Sequence, residues 1–284
     1  MNRPNNLHPP SPAMSKNNFV LIRGGGDLAT GVALRLHRSG IRVVISELVQ
    51  PLAVRRTVSF SEAVYDGHHR VEGVTARLIE AQQLSAWSDA DEIPVLIDPN
   101  ASILSSFFFP VVVDARLIKQ PPLPLPIDVP LHIGLGPGFT AGYDCHAVIE
   151  TRRSHTLGRV YWTGMTQPDS GEPEGDPRRV LRAPESGVIT NYKKIGEHVG
   201  EAEVIASIQV DGQKSIHVFS PFDSVLRGLI RDGLRVTKGM KIGDVDTRDD
   251  VDACYLVSDK ALAIGGGVLE ALLTKDEVRR KLFL

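Results

Sequence analysis

The sequence predicts an α/β chain in two parts: a parallel-sheet domain that starts with a βαβ unit and, beyond a linker, a small all-β domain. Three observations carry this. An apolar run at residues 19–22 reaches three consecutive glycines and passes directly into a helix. Short Val/Ile runs that end on aspartate recur through the first half. A pattern beginning at Ala183 returns 37 residues later at Ser220.

The first stretch carries the most chemistry. Phe19, Val20, Leu21 and Ile22 read as a buried strand, Arg23 leads into Gly24, Gly25 and Gly26, and a helix runs from Leu28 to about Arg38. Backbone N–H groups at such a helix start carry partial positive charge and suit a phosphate or another anion. Gly24 would allow the tight turn, Gly26 the close approach of a pyrophosphate, and Ala29 close helix–strand packing. After a stop at Gly40, a second strand over 42–46 ends on Glu47, 21 residues after Gly26. A βαβ dinucleotide site places there the carboxylate that accepts the ribose hydroxyls. The first domain is therefore expected to be Rossmann-like, with Gly24, Gly25, Gly26, Asp27, Ala29 and Glu47 at a nucleotide-type ligand, NAD among the possibilities. Asp27 is an N-cap residue type, and its carboxylate would compete for the donors a phosphate needs. The alternative is a plain strand–turn–helix whose glycines serve packing.

Composition bounds the function classes. The chain has 284 residues, 42% hydrophobic and 23% charged, which suits about two globular domains. A formal net charge of −2 gives no footprint for nucleic acid or an anionic membrane. No apolar run reaches the ~18 residues of a membrane span. Residues 1–18 are polar and proline-rich without an apolar core, so they read as a disordered tail rather than a signal peptide. The two cysteines, Cys145 and Cys254, are not in a C-x-x-C arrangement, which points to a reducing cytoplasm and excludes a cysteine-only metal site.

Beyond Glu47, residues 50–62 read as a helix followed by a short irregular stretch. Arg55 and Arg56 pass the same crevice, where adjacent arginines could clamp phosphate or carboxylate oxygens; a solvated face with a salt bridge is the other reading. His68 and His69, next to Asp66-Gly67, read as loop histidines. A strand over 71–79 and a short helix over 81–88 lead to two buried strands, 93–97 and 110–113, ending on Asp98 and Asp114. Aspartates there would face the ligand edge of a parallel sheet, or cap a turn.

A stiff proline-rich connector over 120–130 precedes a strand at 131–134 and a second glycine turn. Gly136 and Gly138 bracket Pro137, a rigid loop that lets a ligand approach the backbone. Next come Asp144, Cys145, His146 and Glu150. If this segment is helical, His146 and Glu150 stand one turn apart and could bind a divalent metal or act as acid and base; if 147–149 is a strand, they separate. Asp144, Cys145 and His146 are the candidate catalytic residues, with turn capping and an inert core thiol as the alternatives. No metal-ligand set is assigned. Residues 155–162 read as a strand leaving the domain, and 163–178 as a flexible linker.

The offset of 37 then aligns 183–189 with 220–226, 195–199 with 232–236, and 204–205 with 241–242. Two copies are too few for a solenoid and suggest a small β unit with internal two-fold symmetry. The pattern resembles the biotinyl/lipoyl-type barrel-sandwich hybrid, whose carriers modify a hairpin lysine. Lys214 is the lysine of the matching hairpin, without the Met-Lys-Met context of biotin domains. A third glycine cluster, 265–267, is expected to precede a helix that packs back on the first domain. The expected domains are 1–18 (tail), 19–165 (Rossmann-like), 178–247 (barrel-sandwich hybrid) and 248–284 (C-terminal segment).

As a whole, the chain resembles the YqeB-type family of the selenium-dependent molybdenum hydroxylase system. The resemblance is carried by residues 22–31, 51–63, 134–142, 228–239 and 264–271. The first domain is also similar to the Rossmann domain of XdhC-type proteins. The resemblance implies an accessory role in maturing a molybdenum hydroxylase, with a nucleotide or the nucleotide-bearing molybdopterin cofactor as ligand and the hydroxylase as partner; a homo-oligomer is compatible. The alternatives are an NAD-dependent oxidoreductase of a small molecule using Asp144 or His146, a carrier acylated at Lys214, and a scaffold.

Overall fold

The computed structural model describes residues 18–169, 175–210 and 214–283. The tail expected over 1–18 lies outside the described residues except for Asn18, as does 170–174 of the linker. Strand β1 (Val20–Arg23) is completely buried, and helix α1 (Asp27–Arg38) follows three residues later. Asp27 in its first turn and Arg35 and Arg38 in its last complement the helix dipole. Strand β2 (Val43–Glu47) then lies parallel to β1, with Val20 opposite Val43. Residues 50–62, expected as a helix, form two 3-10 turns, Arg56–Val58 and Phe60–Glu62, before the four-residue helix α2 (Ala63–Asp66).

The first half continues through β3 (His68–Val71), β4 (Val74–Leu78), β5 (Glu92–Ile97), β6 (Val111–Asp114), β7 (Leu131–Leu135), β8 (Thr140–Ala141), β9 (Ala147–Ile149), β10 (Val160–Tyr161) and β11 (Gly164–Met165). Nine of these strands form one sheet in the order β10-β9-β7-β6-β1-β2-β5-β4-β3, and β8 pairs with β11 separately. The seven inner strands run parallel, while β3 and β10 lie antiparallel at the two edges.

This corrects the predicted fold class. The sheet is mixed rather than the parallel sheet of a Rossmann domain, and α1 is the only regular α-helix of more than one turn joining its parallel strands. The other crossovers use 3-10 turns, the short helix α2, the proline-rich connector and, between β7 and β9, the turns around β8. Proline lacks the N–H and restricts the preceding residue away from the α region, so 120–130 could not supply a helix. One face of the sheet is covered by α1 together with α3 (Asp259–Thr274), which is followed by α4 (Asp276–Phe283). The other face is closed by turns carrying Leu84, Ile103, Leu104 and Phe109 against Leu21, Val44 and Val112.

Residues 180–246 form two four-stranded antiparallel sheets rather than a demonstrated biotinyl/lipoyl domain. Their strands are β12 (Val180–Arg182), β13 (Gly187–Asn191), β14 (His198–Val199), β15 (Val204–Val210), β16 (Lys214–Phe219), β17 (Ser224–Leu229), β18 (Arg235–Val236) and β19 (Lys241–Asp246). The orders are β12-β19-β17-β14 and β16-β15-β13-β18. Strands β13, β14 and β15 begin 37 residues before β17, β18 and β19, and their buried apolar residues (among them Ile189, Ile205, Ile208, Leu226, Ile242 and Val245) share one core.

The glycines 265–267 lie inside α3 instead of preceding it. A Cβ at Gly31 would lie 2.6 Å from the Cβ of Ala261, and one at Gly265 would lie 2.8 Å from the Gly31 carbonyl oxygen. Small residues therefore let α1 and α3 touch backbone to backbone, which sets both helix starts at the same end of the sheet.

Candidate functional site

The glycine turn is closed by the chain itself. Gly24 has φ +96° and donates its N–H to the Ser46 carbonyl at 2.7 Å. The Gly25 N–H donates to Glu47 Oε2 at 2.6 Å, Leu48 N–H donates to Glu47 Oε1 at 2.7 Å, and the Gly25 carbonyl accepts from Ser61 N–H at 2.9 Å. Glu47 is buried, and burial raises its carboxyl pKa while these two hydrogen bonds act against the rise. Each of its oxygens accepts one backbone donor, so the Gly25 and Leu48 N–H groups are spent on this carboxylate rather than on a ligand. Gly26, rather than Asp27, is the N-cap of α1; Asp27 is the first helical residue, 3.8 Å from Arg55 Nη1, and Ala29 is buried in the core.

Beside this turn lies a cavity of about 750 Å³ at the C-terminal ends of the parallel strands. The start of α1 (Asp27, Leu28), Pro137 after β7, and Thr151 to Arg153 after β9 form one wall, joined by Ser258 and Lys260 at the start of α3. The opposite wall belongs to the antiparallel unit. Its cations are unequally matched by acids. Arg55, Arg152, Arg153 and Lys260 come from one side and Arg179, Arg182, Arg227 and Lys241 from the other, against Asp27, Asp169 and Asp244. Counting Asp246 and Asp259, which pair with Arg227 and Arg153, gives eight cations and five carboxylates among the described residues. Two helix N-termini add partial positive charge at the same place. The open C-terminal edge of parallel strands is also where ligands bind in α/β sheets.

The expected arginine pair divides. Arg55 lines the cavity and donates through Nη2 to the carbonyls of Ala253 and Leu256, both at 3.0 Å. Arg56 turns away to the Leu229 carbonyl (2.8 Å) and Glu62 (3.4 Å). Gly136 and Gly138 serve packing more than ligand approach. A Cβ at Gly136 would lie 2.9 Å from Thr151 Oγ1, and one at Gly138 would strike the Ile118 carbonyl. Glu150 is almost fully buried and accepts from Arg152 N–H and Gln167 N–H, both at 2.8 Å. It ties together two loops of the cavity wall.

Asp144, Cys145 and His146 sit elsewhere. They precede β9, level with the start of β7, and line a second cavity of about 780 Å³ with His132, Trp162 and Lys275. Strand β9 takes the extended alternative, so Glu150 and His146 fall at its opposite ends. Asp144 Oδ2 accepts from Thr140 N–H at 2.9 Å and pins the turn. Cys145 is a buried thiol that donates to the Ala147 carbonyl, and burial pushes its pKa up to about 11, so it carries little thiolate. His146 Nδ1 accepts from His132 N–H at 2.9 Å. Burial holds the His132 imidazole down to about 4, and its Nε2 has no partner among the described residues. The length of the strands separates this set from the glycine turn, so the two do not form one active centre.

Asp114, completely buried, bonds Arg23 at 3.1 Å and Arg116 at 2.6 Å, an internal ion network at the strand ends. Lys214 is exposed at the start of β16 opposite Val210; residues 211–213 of its hairpin lie outside the described residues. Among the described residues, no group of three or more His, Cys, Asp or Glu side chains is placed to hold a metal ion, and no helix is long and apolar enough to cross a membrane. Sequence reasoning missed the cavity cations apart from Arg55. The adjacent pairs Arg152-Arg153 and Arg178-Arg179 were the available signal, but only the fold brings them to one wall.

Fold and site together define an α/β protein with a mixed nine-stranded sheet, an antiparallel β unit and a cation-lined cavity between them. The chain is 46% identical over 264 residues to YqeB of Escherichia coli (strain K12), a protein described as uncharacterized, and the match covers 91% of this chain. It belongs to the YqeB family. The match spans 48% of that relative, so the chain corresponds to about half of its length. No protein-family model matches. Solved structures include a succinylglutamate desuccinylase/aspartoacylase from Rhodobacter sphaeroides, at 18% identity and TM-score 0.24 over 32% of this chain and 31% of that one. An aspartoacylase family protein from Mesorhizobium loti matches at 15% identity and TM-score 0.27 over 81% and 85%. At these scores the likenesses carry no argument.

Proposed function

We propose that this protein binds a phosphate-bearing small molecule of the nucleotide class in the cavity between the large sheet and the antiparallel unit, and that it serves as a cytoplasmic accessory factor for a molybdenum hydroxylase. The observation that carries the ligand part is the charge of the cavity, whose walls bring together eight cations and three aspartates among the described residues in a chain of formal net charge −2. Such an excess at two helix starts favours a polyanion over a neutral or cationic molecule. The ligand would lie beside the glycine turn rather than in it, because Glu47 already holds Gly25. A nucleotide-bearing molybdopterin cofactor has the required phosphates, and Arg152, Arg55 and the start of α1 are the groups that would hold them. The hydroxylase partner, and selenium in that system, rest on the family resemblance carried by 22–31, 51–63, 134–142, 228–239 and 264–271.

A thermal-shift series with NAD(H), NADP(H), ADP, CTP and molybdopterin cofactor tests the ligand reading. A ligand at about 100 times its dissociation constant adds roughly 2.7 kcal/mol of stability. The expected result is a shift with at least one of them that is lost in Arg152→Glu. No shift with any would refute the ligand reading. Co-purification of the full chain with a molybdenum hydroxylase tests the partner.

A further inference from the structure

We propose that Arg55 and Arg227 together form a subsite for a terminal phosphoryl group, the dianionic head of a phosphomonoester. The inference rests on the phosphate reading of the cavity and specifies which kind of phosphate it takes.

The two arginines are brought side by side by the backbone. Gly228 packs on Val54, where a Cβ would lie 2.9 Å from Val54 Cγ1 and 3.1 Å from its carbonyl oxygen, and Leu229 N–H donates to that same carbonyl at 2.9 Å. Arg55 and Arg227 are the next residues along each strand of chain, and both line the cavity. Neither has a carboxylate at hydrogen-bond distance among the described residues. Asp27 stands 3.8 Å from Arg55, and Asp246 stands 3.6 Å from Arg227 while bonding Arg248 at 2.9 and 2.6 Å. The Nε of each arginine is buried without a partner among the described residues. Burial first, and then repulsion from Arg227, lowers the Arg55 guanidinium below its ordinary pKa. Two like charges are thus held together, each with its nearest carboxylate, Asp27 or Asp246, beyond hydrogen-bond distance.

The missing group is defined by that charge. A phosphomonoester carries about −1.5 to −2 at pH 7 and presents three acceptor oxygens, which suits the Arg227 guanidinium together with Nη1 of Arg55, whose Nη2 is held by the Ala253 and Leu256 carbonyls. A phosphodiester, including each phosphate of an unsubstituted dinucleotide, carries only one charge. The pair therefore favours ligands that end in a phosphate over those that bury it in a linkage.

Titration calorimetry of the full chain with matched pairs tests this. AMP is compared with 3′,5′-cyclic AMP, and NADP⁺, which bears a 2′-phosphate, with NAD⁺. The expected result is at least tenfold tighter binding of each monoester. Arg227→Gln should abolish that preference, whereas Arg152→Gln, which alters a cation outside the subsite, should weaken the ligands without abolishing it. Equal binding within each pair in the wild type would overturn the subsite while leaving a phosphate cavity in place, and so would a preference that survives Arg227→Gln. Failure of all four ligands and of inorganic phosphate to bind would overturn the phosphate reading beneath it.

Discussion

Replacing Glu150 by glutamine should loosen the wall of the cationic cavity. The carboxylate is 1% exposed, and each oxygen accepts one backbone N–H at 2.8 Å, from Arg152 and from Gln167. An amide has one acceptor oxygen, so its NH₂ would face one of those two donors. The substitution gives up a hydrogen bond to a charged acceptor, about 1.5–3 kcal/mol, and leaves a buried donor unsatisfied, about 1–3 kcal/mol. Partial relief of the cost of burying a charge offsets some of this, and we expect a net loss of about 2–4 kcal/mol. Urea unfolding followed by far-UV circular dichroism measures it. Because Arg152, Arg153 and Gln167 line the cavity, phosphate-ligand affinity should fall in the same variant under conditions where it is folded. A Glu150→Gln protein within about 0.5 kcal/mol of wild type, with unchanged affinity, would refute the view that this carboxylate holds the two loops.

Three further outcomes follow from the geometry. Gly26→Ala places a Cβ where nothing lies within 4 Å at φ −66°; the gain from a less flexible unfolded chain and the poorer N-cap offset each other, leaving stability within about 0.5 kcal/mol. Gly267→Ala drives a Cβ into the Gly158 carbonyl oxygen and should cost about 1–3 kcal/mol in the same unfolding assay. His132 has its folded pKa depressed to about 4 from 6.5, so its contribution is present above pH 6.5 and lost as pH falls toward 4. At pH 5 the loss is about 2 kcal/mol, and His132→Gln should remove that part of the acid sensitivity; equal loss in both proteins would show that another group titrates.

The sequence was legible where local rules decide the outcome. Apolar runs ending on aspartate became β5 and β6 in the buried sheet, and the 37-residue offset marks equivalent strands of the antiparallel unit. Topology was not legible, because local pattern does not say whether β3 and β10 lie parallel or antiparallel at the edges. The glycines illustrate the same limit. Gly24, Gly25 and Gly26 read as a phosphate loop, yet Gly25 is needed because Ser61 N lies 2.9 Å from where its Cβ would be. Glu47 stands at the spacing of a ribose acceptor, but spacing does not reveal that its oxygens are already bonded. Gly265 to Gly267 looked like a second helix start and instead make a helix contact. Gly25, Gly265 and Gly267 are packing positions whose neighbours the local pattern does not name, whereas a Cβ at Gly26 or Gly266 would meet nothing within 4 Å.

The cavity cations were invisible for a different reason. Arg152, Arg182, Arg227 and Lys260 are far apart in sequence, and only the return of α3 and the docking of β17 on the 54–58 segment converge them. The carboxylates among them orient the cations more than they cancel them. Asp244, 5% exposed, holds Arg179 at 2.8 Å and Lys241 at 3.0 Å, two cations to one acid. Glu150 fixes the backbone of Arg152 without touching its side chain. A surface evolved only for solubility would place acids among its bases and keep like charges apart. Here buried Asp244 holds Arg179 and Lys241 beside the other cations of the wall, the arrangement on which the proposed phosphate site rests.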